Sequence, residues 1–302
     1  MTKLPIDHGP YSTLIEYGSI ELESKINMKT ALVTGASSGI GEATTRQLVK
    51  DGYKVFAAAR RLDRMKPLEA LGVTLVPLDL TDDASIVAAV ADVERAAGGR
   101  LDVLVNNAGY GSYGALEDVP MEEGRRQVEV NLMGLARLSQ LVIPLMRAQE
   151  SGTIVNVTSV GGKLGEPFGS WYHATKFAVE GLSDCMRLEL KPFGIRVIVI
   201  EPGAIRSEWN EIARDSLLAR SGVTAYGPYA RRHAAMLKSA DASSMASPPE
   251  VVARTIGKVV AARNPRPRYA TGGGAKLIMF LTWLLPDRLI DSLLWRMSQS
   301  AG

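Results

Sequence analysis

The chain has almost no cysteine. Cys185 is the only one in 302 residues, which excludes an internal disulfide framework and a Cys-based zinc site and suits a reducing compartment. Histidine is scarce too, with three in all. His8 and His233 have no carboxylate or imidazole partners at ligand spacing, so no metal is expected. The net charge is +3 without a dense Lys/Arg run, which leaves nucleic acid no electrostatic footprint. A secretory signal is missing from the opening MTKLPIDHGP, where Pro5, Asp7 and His8 stand in place of an apolar run. A spanning helix needs about 20 apolar residues, and the strongest run, Leu277–Leu285, stops after nine at Pro286 and Asp287. A soluble, cytoplasmic protein is therefore expected.

What is present is ordinary in bulk, at 46% hydrophobic and 22% charged, which fits a globular chain rather than a disordered or fibrous one. A prior of about one domain per 150 residues suggests two domains, but the pattern argues for one. From Lys29 onward, short β-branched runs alternate with longer stretches of helical spacing. Strands are predicted at Thr30–Thr34, Lys54–Ala59, Val73–Leu78, Leu101–Asn106, Gly152–Thr158 and Ile195–Glu201. These runs are continuously apolar, as in strands covered on both faces. The fold class is α/β, a doubly wound parallel sheet of the Rossmann type, in a single domain over 29–302. Residues 1–28 show no clear period before a second methionine, Met28, and form an extension of unknown role. The rhythm lapses over 207–247, and apolar helices are expected over 274–302. Within these, Leu277–Leu285 suggests a helix packed on the core or a subunit interface. Weak peripheral membrane contact is the other option, with Trp283 and Trp295 beside Arg288 and Arg296.

The first strand runs into Thr34-Gly35-Ala36-Ser37-Ser38-Gly39-Ile40-Gly41 and then a helix. Gly35 permits a tight turn, Gly39 lets the backbone approach a pyrophosphate, and Gly41 lets the helix lie against the strand. A carboxylate ending the second strand would bond the ribose hydroxyl of NAD. Here Arg60 and Arg61 follow Ala59, and a guanidinium suits a 2′-phosphate, so NADP(H) is the expected cofactor. Asp79 is placed to bond an adenine amino group or to cap the helix starting near Asp82.

Tyr172 and Lys176 stand four apart in a helical stretch, which puts both on one face. A neighbouring ammonium is expected to lower the tyrosine from its usual value near 10. Ser159 ends the fifth strand, on the ligand edge of an open α/β sheet, where its hydroxyl can hold a carbonyl oxygen. Cys185, thirteen residues past Tyr172, reads as a small buried hydrophobe. His173 reads as structural, and Arg231-Arg232 as a solvated face.

Together with Asn106-Asn107-Ala108-Gly109, Asn131 and Pro202-Gly203, these motifs over residues 30 to about 207 resemble the short-chain dehydrogenase/reductase family. In layout they are similar to its hydroxysteroid and retinol dehydrogenase branch. The resemblance implies hydride transfer between NADP(H) and a lipophilic carbonyl or alcohol. Tyr172 would exchange the proton, Ser159 orient the oxygen, Lys176 bond the nicotinamide ribose, and Asn131 position a relay water. The implied cofactor contacts are Gly35, Ser37, Ser38, Gly39, Ile40, Gly41, Arg60, Arg61, Asp79, Leu80, Asn106, Ala108, Gly109, Tyr172, Lys176, Pro202, Gly203 and Ile205. Ser207 stands where many relatives carry threonine. The implied substrate lid is 207–247, with Ser159, Leu164, Phe168 and Trp209 as contacts and Tyr110, Trp171 and Met236 as further wall candidates. Gly161-Gly162 would leave space at the reacting carbon. Helices around Met121–Arg147 and Trp171–Lys191 would pair subunits in a homodimer or homotetramer. A non-catalytic NADP(H)-binding sensor or scaffold of the same fold is the alternative, disfavoured because Asn131, Ser159, Tyr172 and Lys176 are all present. A nucleotide-sugar epimerase is disfavoured by the spacing of the glycine turn and by the intact Asn106–Gly109 stretch.

Overall fold

The computed structural model describes residues 28–243 and 246–300, so the predicted extension, apart from Met28, lies outside the described residues. Seven parallel strands form one sheet in the order β3-β2-β1-β4-β5-β6-β7. They are β1 (Thr30–Thr34), β2 (Lys54–Ala59), β3 (Thr74–Pro77), β4 (Val103–Asn106), β5 (Gly152–Val157), β6 (Ile195–Pro202) and β7 (Arg268–Thr271). Between them run helices α1 (Gly39–Lys50), α2 (Leu62–Glu69), α3 (Asp83–Ala96), α4 (Met121–Val128), α5 (Gly134–Ala148) and α6 (Ser170–Glu189). After β6 come α7 (Glu208–Ser221), α8 (Gly227–Ala242) and α9 (Pro249–Ala261), and after β7 come α10 (Ala275–Leu284) and α11 (Asp287–Gln299).

The pleat explains the continuous apolar runs. On one face Val33, Ala57, Val105, Val155 and Ile198 pack with Leu48 of α1 and Val252, Ile256 and Val260 of α9. On the other, Leu32, Phe56, Leu104, Ile154 and Val197 meet Ile86 and Val93 of α3 and Leu138, Val142 and Met146 of α5. Each such side chain, fully buried, contributes about 1.5–3 kcal/mol. Both faces of the central strands are covered, so polar side chains there occur only where they are hydrogen-bonded, as at Asn106 and Asn156, and alternation is absent.

Three expectations need correction. β7 escapes the sequence pattern because it is four residues long and begins straight after Pro267. An edge strand tolerates that proline, and Val199 N–H donates to the Pro267 carbonyl at 2.9 Å. The stretch Met121–Ala148 forms a continuous run of α4, a π turn (Glu129–Met133) and α5, long and apolar enough by length and composition to cross a membrane. The nine-residue run near the end is therefore not the strongest candidate, although the inner side of α5 is spent on the sheet. Cys185 is exposed rather than buried, because it faces outward from α6 while Ser183 and Met186 turn inward.

The 207–247 stretch contains α7 and α8, packed on each other. In the tail, α10 buries only Ala275, which removes the core-packed option for Leu277–Leu285. α11 is anchored on α8, where the Ser298 hydroxyl meets His233 Nδ1 at 2.8 Å and Trp295 lies on Tyr229.

Candidate active site

The carboxyl ends of β1 to β6 carry the glycine turn, Arg60 and Arg61, Asp79, Asn106–Gly109, Ser159 and Pro202-Gly203, while Asn131 comes from the π turn and Tyr172 and Lys176 from α6. At the first turn Gly35 and Gly39 take left-handed φ of 67° and 55°. A Cβ on Gly35 would lie 2.9 Å from Ala108 Cα, and one on Gly41 would lie 2.2 Å from the Gly35 carbonyl oxygen. Thr34 ties this turn to β4, its hydroxyl accepting from Asn107 N and Ala108 N at 3.0 Å. Ser38 begins α1 without a side-chain cap, so the first-turn amides keep the anion-binding capacity of a helix start. Ile40 packs against the core, and Asn106 holds β4 to β5 and α5 through Asn156 and Ser139 at 2.9 and 3.0 Å.

At the end of β2, Arg61 donates to the Ser37 and Ser38 hydroxyls at 3.2 Å, and Arg60 is exposed. Asp63, the next acid along the chain, is paired with Lys66, and Glu208 reaches Arg61 at 3.3 Å. Asp79 accepts from Thr81 N–H and Oγ1 at 3.0 and 2.8 Å. The capping option passes to Asp82, which accepts from Ala84 N. Leu80 is buried under Gly134, whose Cβ would strike its carbonyl at 2.4 Å. Gly203 follows Pro202 tight against Gly273, and Ile205 is buried against Gly272.

Ser159 follows β5 and accepts from Gly161 N at 3.0 Å. One turn apart on α6, Tyr172 and Lys176 are both buried. Lys176 Nζ lies 5.8 Å from the Tyr172 ring and donates to the Val157 carbonyl at 3.0 Å. Asn131, in the π turn, donates to Tyr110 O at 2.9 Å and Thr175 Oγ1 at 3.1 Å and accepts from Tyr110 N at 3.0 Å. Gly109 lies against it, where a Cβ would be 3.1 Å from Asn131 Oδ1 and 3.7 Å from Lys176 Nζ.

Burial pushes Tyr172 up to about 12, with Ser159 working the other way. Burial also brings Lys176 down to about 8, against the pull of Glu180. The expected lowering of Tyr172 by Lys176 does not appear in the protein alone: desolvation dominates, Ser159 is the group that lowers it, and the ammonium donates to the Val157 carbonyl instead.

Over the tyrosine lies an aromatic lid. The Trp209 ring sits 4.9 Å from Tyr172 and meets Tyr113 edge-on at 5.6 Å. Phe168, held at a left-handed φ of 70°, and Met236 pack on the same cluster. Leu164 is half-buried in the preceding loop. Two wall candidates face elsewhere. Trp171 packs over Gly124 of α4, and the Tyr110 hydroxyl donates to Glu123 at 3.0 Å. Gly161 and Gly162 leave no space for substrate either: Cβ atoms there would meet His173 at 3.0 Å and Glu180 at 3.1 Å. His173 is structural, bridging Gly161 O and Glu166 N.

No local spacing brings Tyr113, Glu166 and His233 together, and the structure does. Tyr113 is fully buried, donates to Glu166 Oε1 at 2.5 Å and stacks on His233. Their partners lie dozens of residues away, beyond any local spacing rule.

Similarity to known proteins agrees with this geometry. The short chain dehydrogenase family pattern matches residues 29–217. The 3-ketodihydrosphingosine reductase of Bacteroides thetaiotaomicron is 34% identical over 86% of this chain and 94% of its own length. The NADPH-dependent 3-dehydrocapnine reductase of Ornithobacterium rhinotracheale is 33% identical over 89% of this chain and 97% of its own. Among solved structures, a variant of actinorhodin polyketide ketoreductase with NADPH superposes at a TM-score of 0.70 with 30% identity, covering 83% of this chain and 98% of that one. The fold and site define a nicotinamide-dinucleotide oxidoreductase class. The chain belongs to the short-chain dehydrogenase/reductase family.

Proposed function

We propose that this protein is an NADP(H)-dependent oxidoreductase that interconverts a carbonyl and an alcohol on a lipophilic substrate, with Tyr172 as the acid/base. The carrying observation is the convergence of Ser159, Tyr172, Lys176 and Asn131 at the carboxyl end of the sheet, beneath aromatic side chains. The tight Gly35–Gly41 turn and the uncapped start of α1 fit a dinucleotide pyrophosphate. Arg61 at Ser37 and Ser38, with no carboxylate at the end of β2 and with Glu208 shared between it and Arg64, supports a 2′-phosphate. Two relatives named as reductases of 3-keto and 3-dehydro compounds, one NADPH-dependent, support carbonyl reduction.

The bound dinucleotide supplies the hydride. Tyr172 keeps its proton at neutral pH and donates it to the oxygen as charge develops there. The Ser159 hydroxyl holds that oxygen. Lys176 remains positive below about 8, and its charge, 5.8 Å from the Tyr172 ring, favours the phenolate that proton donation leaves behind. Asn131 fixes the Tyr110 backbone and Thr175 around this pair. The Tyr113, Phe168 and Trp209 lining suits an apolar substrate body. A cytoplasmic homo-oligomer completes the proposal.

Tyr172→Phe is expected to lower turnover by about 10²–10⁴-fold while leaving NADPH binding intact. NADPH consumption across ketones, aldehydes and steroids measures it, and unchanged turnover would exclude Tyr172 as the proton donor.

A further inference from the structure

Glu208, the first residue of α7, reaches across the mouth of the cofactor turn. Its carboxylate pairs with Arg61 at 3.3 Å and with Arg64 at 2.5 Å. Arg61 is the same guanidinium that rests on Ser37 and Ser38. The next residue, Trp209, lies over Tyr172. A single turn of helix therefore occupies the cationic end of the cofactor site with its carboxylate and the reacting tyrosine with its indole. Trp209 seats so closely that a Cβ on Gly111 would come within 2.4 Å of it.

We propose that Glu208 is a cofactor-discriminating residue: it stands in for the 2′-phosphate at Arg61 and Arg64 and latches α7 over Tyr172 until that phosphate displaces it. The inference rests on the NADP(H) reading above. A phosphate offers more charge and three acceptor oxygens to the guanidinium forks, so it outcompetes one carboxylate. A ribose hydroxyl has no charge with which to do so. Displacement frees the part-buried first turn of α7, while Ala213 and Leu217 keep the rest of the helix packed, and Trp209 leaves the tyrosine with that turn. NADP(H) then both occupies the site and opens it to substrate, whereas NAD(H) meets a closed lid.

The pairs are about half-exposed, so the latch is weak by design of its setting. Each exposed pair is worth a few-fold in affinity, and Glu208→Gln is expected to tighten NADPH roughly three- to tenfold. NADH binding should change less than twofold. Isothermal titration of wild type and variant with both dinucleotides measures this. Wild type that fails to prefer NADPH over NADH overturns the cofactor reading itself. Wild type that prefers NADPH, paired with a variant showing no gain or an equal gain for NADH, overturns the role of Glu208 alone. For the lid, adenosine 2′,5′-bisphosphate, which carries no nicotinamide, should change tryptophan fluorescence in wild type, and 5′-AMP should not. The change should vanish in Trp209→Phe; if it persists there, or if 5′-AMP causes it equally, the latch is refuted.

Discussion

Glu201, near the end of β6, is a carboxylate with nowhere comfortable to go. It is 2% exposed, and its Oε1 has no hydrogen-bond partner, with Arg268 Nε 3.7 Å away. Burial pushes it up to about 7, and Glu180 adds repulsion. The folded state therefore holds this proton more tightly than the unfolded chain. The unfolded carboxyl loses its proton near 4.5 and the folded one near 7, so stability falls as pH rises through that window and the penalty is complete above it. Glu201→Gln is expected to stabilise the fold by on the order of 2 kcal/mol at pH 8 and to change little at pH 4.5. Arg268 keeps Glu180 and Asp184 as partners in the variant. Urea denaturation at the two pH values measures it, and an equal effect at both would exclude titration as the cause. The residues of the reaction were legible because they are local: Tyr172 and Lys176 share a helix face, and Ser159 ends a strand. The residues that surround them were not. Tyr113 finds Glu166 across 53 positions, His233 finds Ser298 across 65, and Arg61 finds Glu208 across 147.

Among the elements, the strands covered on both faces announced themselves, since double coverage forces uninterrupted apolar sequence. The edge strand β7 did not, because only its Thr271 is buried and the rest of Arg-Tyr-Ala-Thr need not be apolar. Nor did the π turn between α4 and α5, whose sequence has ordinary helical spacing; such turns often occur at functional sites, and this one carries Asn131. Immediately after it, Gly134 is the point where α5 passes the carbonyl of Leu80, 2.4 Å from where a Cβ would stand. Neither a helix backbone nor the backbone carbonyl of a buried turn residue can yield as a side chain does. Gly134→Ala should therefore destabilise the fold by about 1–3 kcal/mol through overpacking, despite the better helix propensity of alanine. Urea unfolding with an unchanged denaturant slope would show it, and a neutral or stabilising change would mean that α5 is free to slide.

At the scale of the whole molecule, two apolar surfaces are exposed among the described residues of one copy. The first lies on the long helices, where Met121, Met133, Phe177 and Leu188 are exposed. The second is the tail, with Leu277, Phe280 and Leu284 exposed and Trp283 at 79%. Patches of this kind mark contact sites. Tail charges are Lys276, Arg288 and Arg296 against Asp287 and Asp291, or 3 − 2 = +1, which offers an anionic bilayer little attraction. The homo-oligomer proposed above would cover both with a second copy. Two distinct faces, each self-paired about its own two-fold axis, close into a tetramer of D2 symmetry rather than a filament. Sedimentation velocity is expected to give a tetramer for the full chain. Leu188→Glu and Trp283→Glu should each give a dimer, and the double variant a monomer. A wild-type monomer that co-pellets with phosphatidylserine vesicles, and loses that association in Trp283→Glu, would assign the tail to membrane instead and leave the long helices without a partner.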